Sequence, residues 1–400
     1  MVNSIKNKRQ IETLTIIYTV LSILPFFWIY IPTGIMPLFS LIILFSIMDS
    51  IGVDIVMRRI GKCIPVLTIL IVYLFDKDFA IFPQLLYMFR ILFWSVIVCW
   101  IERTNNKEYG TKLLKVVLGC YLFTCITTYI GNVAFPALSR IKNDDPLHEY
   151  VYKYNVGGFG FAYEVLLLIP LFFFLYNNNI IKKWKAIVAL AIIYLTLFKM
   201  EYTTAIVYSV FPVILFLMGK KASIKRLITI AMLAVAAFYA LKPLLAELLY
   251  YLSTVIESGD ISVKFADMSA QLSGQYLSDN SDLEDRQELM QESWDLFVAN
   301  PLTGSGSYGG GHSLILDFLA RFGLIGAALL FLPFRSIYIL AVKPYIKTSI
   351  SVYLVMILLM NIGLCYNNTL IFYIDFVLII PLFAFVYGKN ESNYGITSSE

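Results

Sequence analysis

The residues best suited to chemistry lie between positions 285 and 330, where a very polar stretch runs directly into a long apolar one. His312 stands at the start of the apolar run, and near pH 7 its imidazole can accept a proton from an attacking hydroxyl. Arg286 comes earlier in the same stretch, before a glycine-rich turn. A turn of glycines that leads into a helix N-terminus is a suitable place for an anionic group. The stretch therefore predicts acid–base chemistry beside a bound anion.

The glycine turn, Gly304-Ser-Gly306-Ser-Tyr308-Gly309, matches the G-x-G-x-x-G pattern of dinucleotide-binding proteins. That pattern functions within a strand–helix–strand unit, with an acidic residue further on. Here a predicted helix precedes the turn and an apolar run follows it, so we exclude a dinucleotide site. Glycines still let a backbone approach a pyrophosphate closely. The alternative interpretation is a flexible turn that re-enters the membrane.

The element before the turn is predicted to be a helix that begins at Ser281, with a capping box to Glu284, and ends at Asn300 because Pro301 follows. Helical spacing gives it an apolar face of Met290, Trp294, Phe297 and Val298. Arg286 lies on that face and needs an anionic partner there, unless it pairs at the surface with Asp282. Asp317 and Arg321, after the turn, have the spacing of a helical ion pair.

A metal site and a disulfide framework are not expected. The two histidines, His148 and His312, lie in separate loops. Five cysteines lie in or beside apolar segments with no C-x-x-C spacing, which is typical of buried thiols.

Composition sets the class of protein. The 400 residues are 59% hydrophobic and 14% charged, with a mean hydropathy of +0.76, which excludes a soluble globular protein. Basic residues form small clusters between apolar runs, so a nucleic-acid partner is not expected. We predict an all-α, polytopic membrane protein with about twelve spans, at 12–31, 34–48, 63–76, 80–101, 113–131, 159–176, 186–200, 203–219, 227–246, 314–334, 337–364 and 369–387.

Lysine and arginine concentrate in alternate loops, which predicts that both termini are cytoplasmic. Loops 131–158 and 247–313 are then external. No nucleotide is supplied outside the cytoplasm, so a substrate used there must itself contain the activated bond that drives the reaction. We expect a transmembrane bundle over 1–246, an external loop over 247–313, and late spans with a tail over 314–400. Within the long loop, 241–256 should extend the ninth helix and 257–280 should be irregular or lid-like.

Several motifs together resemble the C-terminal motif shared by O-antigen ligases and Wzy-type O-antigen polymerases. The resemblance covers about 45 residues: Arg286, Trp294, Asn300-Pro-Leu-x-Gly304-x-Gly306, His312-Ser313-x-x-Leu316 and Gly323-Leu-Ile-Gly326. Residues 155–163, NVGGFGFAY, are similar to a family segment that re-enters the membrane. The chain departs from the family at Lys199, where many members have arginine, at Ser313, where asparagine is common, and at Arg321, where an acidic residue is common.

The resemblance implies a membrane glycosyltransferase of the glycosyltransferase C-like architecture, acting outside the bacterial inner membrane without metal or cofactor. Its donor would be a glycan on polyprenyl (undecaprenyl) pyrophosphate. Arg286 would bind the pyrophosphate, Arg140 or Lys199 would supply a second cation, and His312 would position or deprotonate the acceptor hydroxyl. Gly304, Gly306 and Tyr308 of the turn would contact the substrate.

We favour a polymerase of O-antigen or capsule repeat units in polysaccharide and lipopolysaccharide biosynthesis, with a chain-length regulator and a flippase as candidate partners. A ligase that transfers the polymer to lipid A–core is the first alternative. A glycolipid flippase or another transporter is the second. A transporter should show inverted repeats and ionisable residues in mid-membrane, whereas the polar residues of this sequence concentrate in the external loops.

Overall fold

The computed structural model describes residues 2–31, 34–74, 81–141, 145–219, 223–255, 259–273, 282–307, 309–367 and 375–388. The regular secondary structure in these ranges is helical and includes no strand, as the sequence analysis predicted. The α-helices, in chain order, are α1 Val2–Ile23, α2 Phe26–Tyr30, α3 Ile35–Ile51, α4 Val53–Cys63, α5 Thr68–Leu74, α6 Ile81–Arg103, α7 Lys107–Ala134, α8 His148–Lys153, α9 Phe159–Asn177, α10 Lys183–Met200, α11 Thr203–Val210, α12 Val213–Met218, α13 Ile224–Val255, α14 Gly259–Ser273, α15 Asp282–Ala299, α16 Leu314–Ile337, α17 Ser351–Asn367 and α18 Ile380–Tyr387.

Short helices of other types connect some of these elements. Ile64–Leu67, Leu138–Arg140 and Lys343–Tyr345 are 3₁₀-helices, while Tyr338–Val342 and Asp375–Ile379 are π-helical. The chain divides into two compact units. The first comprises Met1–Lys221, Phe331–Asn361 and Phe372–Glu400, and the second comprises Ala222–Leu330 and Ile362–Ile371.

The first unit is built around α7 and α9. Helix α7 packs against α1, α10 and α18, and α9 packs against α10 and α11. Every residue of α9 from Val165 to Leu175 is buried. A helix that is apolar on all sides suits either a membrane or the interior of a helix bundle, and in this unit the surrounding helices bury α9.

Among the described residues, four helical segments are long and apolar enough to cross a membrane: Gln84–Arg103, Lys107–Ala134, Phe159–Asn177 and Leu314–Tyr345. A fifth span exists if Ile35–Ile51 and Val53–Leu74, which meet at a 119° bend, count as one. Shorter apolar helices are Thr204–Met218, Ser351–Tyr366 and Val377–Tyr387. The helices have the character of a membrane protein, but twelve separate spans are not confirmed. A break at Phe211–Pro212 interrupts the apolar run 203–219, which the sequence analysis counted as one whole span.

The second unit contains the predicted external loop and part of what precedes it. Helix α13 continues unbroken to Val255, which confirms the predicted extension of the ninth helix. It packs along α14, and the Ser269 hydroxyl donates a hydrogen bond to the Ala246 carbonyl at 2.7 Å. The prediction of an irregular segment over 257–280 is wrong for 259–273, which form α14. Ile261, Phe265, Met268 and Leu272 have helical spacing, and this pattern outweighs the Ser, Gly and Asp content.

Helix α15 ends at Ala299, one residue before the predicted end, so Pro301 terminates it as expected. Of the predicted capping box, Ser281 lies outside the described residues, and Glu284 is described in its backbone alone.

Candidate functional site

The glycine turn packs against a break in helix α16. At Gly323 the backbone leaves the helical region, with φ 57° and ψ −142°. The break leaves carbonyls of the preceding helical turn without their usual partners, and the N–H groups of Ser305 and Gly306 donate to the Ala320 and Arg321 carbonyls at 2.8 and 3.1 Å. In return the Leu324 N–H donates to the Pro301 carbonyl at 2.9 Å. The turn and the broken helix thus satisfy each other's backbone groups.

Glycine is required on both sides of this contact. A Cβ atom at Gly304, where φ is +74°, would lie 2.2 Å from the backbone carbonyl carbon and oxygen of Arg321. A Cβ atom at Gly323 would lie 2.6 Å from the backbone of Leu302. Gly306 differs, because its φ is +76° but no other atom lies within 4 Å of an added Cβ. The predicted substrate role of Gly304 and Gly306 stays a prediction, and the N–H groups of Gly304, Ser305 and Gly306 already donate to carbonyls within the chain.

A buried clasp, formed by Ser293 and Asp317, joins α15 to α16. The two side chains are 1% and 3% exposed. The Ser293 hydroxyl donates to Asp317 Oδ1 at 2.8 Å and accepts a hydrogen bond from the Gly310 N–H at 3.0 Å. The Gly311 N–H donates to the same Oδ1 at 3.3 Å. This carboxylate therefore fixes both α15 and the end of the glycine turn.

His312 is held between two groups that Asp317 anchors. On one side Gly311 donates to the Asp317 carboxylate, and on the other the Asp317 N–H donates to the Ser313 carbonyl at 2.8 Å. Ser313 also caps α16, since its hydroxyl accepts a hydrogen bond from the Leu316 N–H at 3.2 Å. The His312 side chain is half-buried. Its backbone is thus immobilised, while its imidazole keeps access to solvent.

Arg286 is described through its backbone in α15, and Tyr308 lies outside the described residues. Arg286 precedes Ser293 by seven residues, which is almost two full helical turns, so both occupy one face of α15. This face meets the turn. A Cβ atom at Gly310 would lie within 2.5 Å of the Leu289 backbone, one turn after Arg286. The register of α15 therefore brings the Arg286 position to the end of the turn that carries His312.

The predicted apolar face of α15 is only partly packed, since Met290 and Phe297 are half-buried. Trp294 and Val298 are 45% and 57% exposed, whereas Ser293 is buried. Trp294 lines an open groove of about 1320 Å³, whose other residues are Gln287, Glu288, Met290, Gln291, Glu292, Asp295, Leu296, Ala299, Leu316 and Tyr366. Three of these residues are acidic, so the groove does not favour an anion.

In the first unit, the short 3₁₀-helix that ends at Arg140 contacts the residues just after α10, whose last turn carries Lys199. The Tyr202 hydroxyl donates to the Ser139 carbonyl at 2.9 Å. Arg140 is exposed and Lys199 is half-buried. Burial raises the pKa of Tyr202 to about 12, against the opposite effect of the nearby Arg140 charge, so the hydroxyl remains a donor at neutral pH. The two residues predicted as alternative second cations thus belong to two segments that this hydrogen bond joins.

A buried asparagine holds the 138–158 loop against α7. Asn155 adopts a left-handed backbone with φ 52° and donates from Nδ2 to the hydroxyls of Thr124 and Thr127 at 3.0 and 3.1 Å. Its Oδ1 accepts a hydrogen bond from the Phe26 N–H at 3.2 Å. Thr124 lies ten residues before Ala134, which is about 15 Å along the helix. The residues that lead into α9 are therefore held against the side of α7, about three helical turns before its end. Whether this segment re-enters the membrane stays a prediction.

Arg90 and Glu164 are ionisable residues within candidate spans of the first unit. Arg90 donates from Nη2 to the Ser22 carbonyl at 2.8 Å, and the Glu164 carboxylate accepts a hydrogen bond from the Tyr121 hydroxyl at 3.0 Å. The Arg90 Nε is buried without a hydrogen-bond partner. The sequence analysis had assigned polar chemistry to the external loops and gave these two residues no role.

Ser293 and Asp317 also received no functional role from the sequence. Asp317 was expected to pair with Arg321, but its Oδ1 bonds join it to Ser293 and Gly311, and the Arg321 guanidinium lies 5.3 Å from the Phe322 ring centroid. The sequence feature that could have pointed to Asp317 is its position, as an acidic residue in the first turn of an apolar helix. Within the described ranges, no three His, Cys, Asp or Glu side chains come together in a group that could hold a metal ion.

No protein-family model matches this chain. No curated protein matches it either. The function is therefore argued from the residues and their geometry, and the likeness of 286–326 to the ligases and polymerases stays a prediction.

Proposed function

We propose that this protein is a membrane glycosyltransferase that lengthens a bacterial surface polysaccharide on its polyprenyl pyrophosphate carrier. An acceptor sugar hydroxyl attacks the anomeric carbon of the donor glycan. The bond from that carbon to the pyrophosphate oxygen breaks, and the lipid pyrophosphate leaves. His312 takes the hydroxyl proton, and Arg286 stabilises the charge that develops on the pyrophosphate.

The observation that carries this proposal is the assembly of α15, the glycine turn and α16. Ser293 and Asp317 hold the turn so that His312 follows directly on the anchored Gly311, and the Arg286 face of α15 lies against the same turn. A cation and an imidazole on one rigid support are what transfer from a lipid pyrophosphate needs.

The distribution of basic residues supports the choice of donor. If the basic loops are cytoplasmic, the glycine turn faces the outside of the inner membrane, where nucleotide sugars are absent. A donor already activated as a pyrophosphate meets that condition. We assign the second cation to Arg140 or Lys199, because Arg140 follows Ser139, Lys199 precedes Tyr202 by three residues, and a Tyr202–Ser139 hydrogen bond joins the two segments.

A transporter is the second candidate, and Arg90 and Glu164 favour it. Ionisable residues inside spans commonly mark transport pathways. In a glycosyltransferase the same two residues serve packing, through their bonds to Ser22 and Tyr121.

The test is complementation of a deletion strain of the encoding bacterium, read as surface polysaccharide ladders on gels. At equal protein levels, Arg286→Ala and His312→Ala should abolish the ladder, since each arginine–phosphate contact contributes about 2–3 kcal/mol, roughly a hundredfold in rate. The exposed Arg335, replaced by alanine, is the matched control. Full ladders from both site variants would refute the assignment.

The glycan of the deletion strain separates the candidate functions. Core capped with a single repeat unit indicates a polymerase. Uncapped core with accumulated lipid-linked polymer indicates a ligase. Uncapped core with single lipid-linked repeats held in the inner leaflet indicates a flippase and would contradict glycosyl transfer.

A further inference from the structure

The first unit contains a second groove, of about 500 Å³, whose lining combines charged and apolar residues. Arg59 and Lys62 of α4 and Glu102 of α6 form its charged side. The remaining lining residues are Ser336, Ile339, Leu340, Pro344 and Tyr345. The residues assigned to glycosyl transfer do not line this groove.

Helix α4 has the features of a helix at a membrane surface. It follows Gly52, whose φ of +91° ends α3, and the chain bends there by 119°. Val53 and Met57 are each 55% exposed, and the basic residues Arg58 and Lys62 are exposed on the same short helix. Apolar side chains beside lysine and arginine place a helix at the level of the lipid headgroups.

Arg59 forms a long ion pair with Glu102. Its Nε donates to the Ser95 hydroxyl at 2.8 Å, which fixes the guanidinium in the wall of the groove. Its Nη1 lies 3.7 Å from the nearer Glu102 oxygen, which is too long for a hydrogen bond. The other edge of the guanidinium can therefore bind a further anionic oxygen.

The basic character extends beyond the lining residues. Arg58, Arg103, Lys343 and Lys347 lie within a few residues of it in the chain. Basic grooves between membrane helices bind phosphates of lipid headgroups. A free phosphate would satisfy Arg59 and Lys62 but leave the apolar wall of Ile339, Leu340 and Pro344 without a partner. A phospholipid provides both the anion and the apolar chain.

We propose that this groove binds the phosphate headgroup of an anionic phospholipid, with Arg59 and Lys62 on the phosphate and the apolar wall against the glycerol and upper acyl chain. This site is separate from the proposed transfer reaction and does not depend on it. It would tie the bend between α3 and α4 to the lipid surface.

The experiment uses the full-length protein in nanodiscs of phosphatidylcholine with an increasing fraction of phosphatidylglycerol, and records thermal unfolding and the lipid retained in native mass spectrometry. Lys62→Ala should weaken retention of phosphatidylglycerol about fivefold, as expected for one lysine near a charged lipid surface. Glu102→Gln should strengthen retention, because it removes the negative charge found among the described lining residues. Lys182→Ala, at an exposed lysine outside the groove, is the matched control and should leave retention unchanged.

Equal retention by the wild-type, Lys62→Ala and Glu102→Gln proteins would overturn the proposal. The proposal would also be overturned if inorganic phosphate, added to pure phosphatidylcholine nanodiscs, stabilised the wild-type protein against thermal unfolding as much as phosphatidylglycerol does. Because the readout is lipid retention, neither outcome bears on the polysaccharide ladder, so this proposal and the proposed enzymatic function can fail separately.

Discussion

Two glycines that the motif treats alike, Gly304 and Gly306, should respond differently to alanine. Both have positive φ, at +74° and +76°. An alanine in this left-handed region costs about 1–2 kcal/mol by itself. At Gly306 that is the whole expected cost, because an added Cβ meets open space.

At Gly304 a steric cost is added. The new Cβ would lie 2.2 Å from the Arg321 carbonyl group, against about 3.4 Å for an ordinary contact, so the turn must move away by about 1 Å. Such a shift breaks the bonds from Ser305 and Gly306 to the Ala320 and Arg321 carbonyls, each worth about 1 kcal/mol. We expect Gly304→Ala to lose about 3–4 kcal/mol of unfolding free energy, and Gly306→Ala about 1–2 kcal/mol.

The assay is unfolding of the purified protein in mixed micelles, followed by circular dichroism, beside the polysaccharide ladder at matched protein levels. A Gly306→Ala protein that is nearly as stable as wild type yet forms no ladder would show that Gly306 contacts the substrate, as the motif predicts. An intact ladder from Gly306→Ala would give this glycine a conformational role alone. Equal stability losses in the two variants would refute the steric argument for Gly304.

Two further predictions concern buried polar groups. Asp317→Ala should lower the free energy of unfolding by about 3 kcal/mol, because it removes the charged acceptor of two hydrogen bonds. Asp317→Asn keeps an Oδ1 that can accept both bonds and should lower it by about 1 kcal/mol or less. Equal unfolding midpoints for the two variants would contradict the role of Asp317 in the clasp. Asn155→Ala should lower the free energy of unfolding by about 2–4 kcal/mol, since it removes three hydrogen bonds and places alanine in a left-handed backbone conformation. Limited proteolysis should then cleave the 138–158 loop faster. An unchanged cleavage rate would contradict the anchoring of the loop on α7.

Sequence patterns predicted the elements whose signals are local. The end of α15 before Pro301 and the continuation of α13 to Val255 depend on proline chemistry and on an apolar period within one segment. The class of membrane helices follows from composition in the same way. Helix α14 was missed because composition was weighed above spacing, although Ile261, Phe265, Met268 and Leu272 were visible in the sequence.

The number of spans and the buried face of α15 could not be predicted in this way, because both depend on the rest of the chain. An apolar run does not reveal whether it crosses as one helix or bends, as the chain does by 119° after Gly52. In α15 the bulky Trp294 and Val298 gave the stronger hydrophobic signal, yet the small Ser293 is buried. A serine can occupy that place because Asp317 and Gly310 lie within hydrogen-bonding distance, and neither is near it in sequence.

The glycine turn and the Gly323 break have one common physical cause. A helix that breaks exposes backbone groups, and a glycine-rich turn exposes N–H groups, so each is costly alone in an apolar environment. Packed together, they cancel most of that cost through the Ser305, Gly306 and Leu324 bonds. The pairing explains why a Pro-Leu-x-Gly-x-Gly turn and a Gly-Leu-Ile-Gly segment belong together in one chain whatever the substrate is. The paired segments also support the backbone of His312 without using its side chain, so the imidazole is left for chemistry.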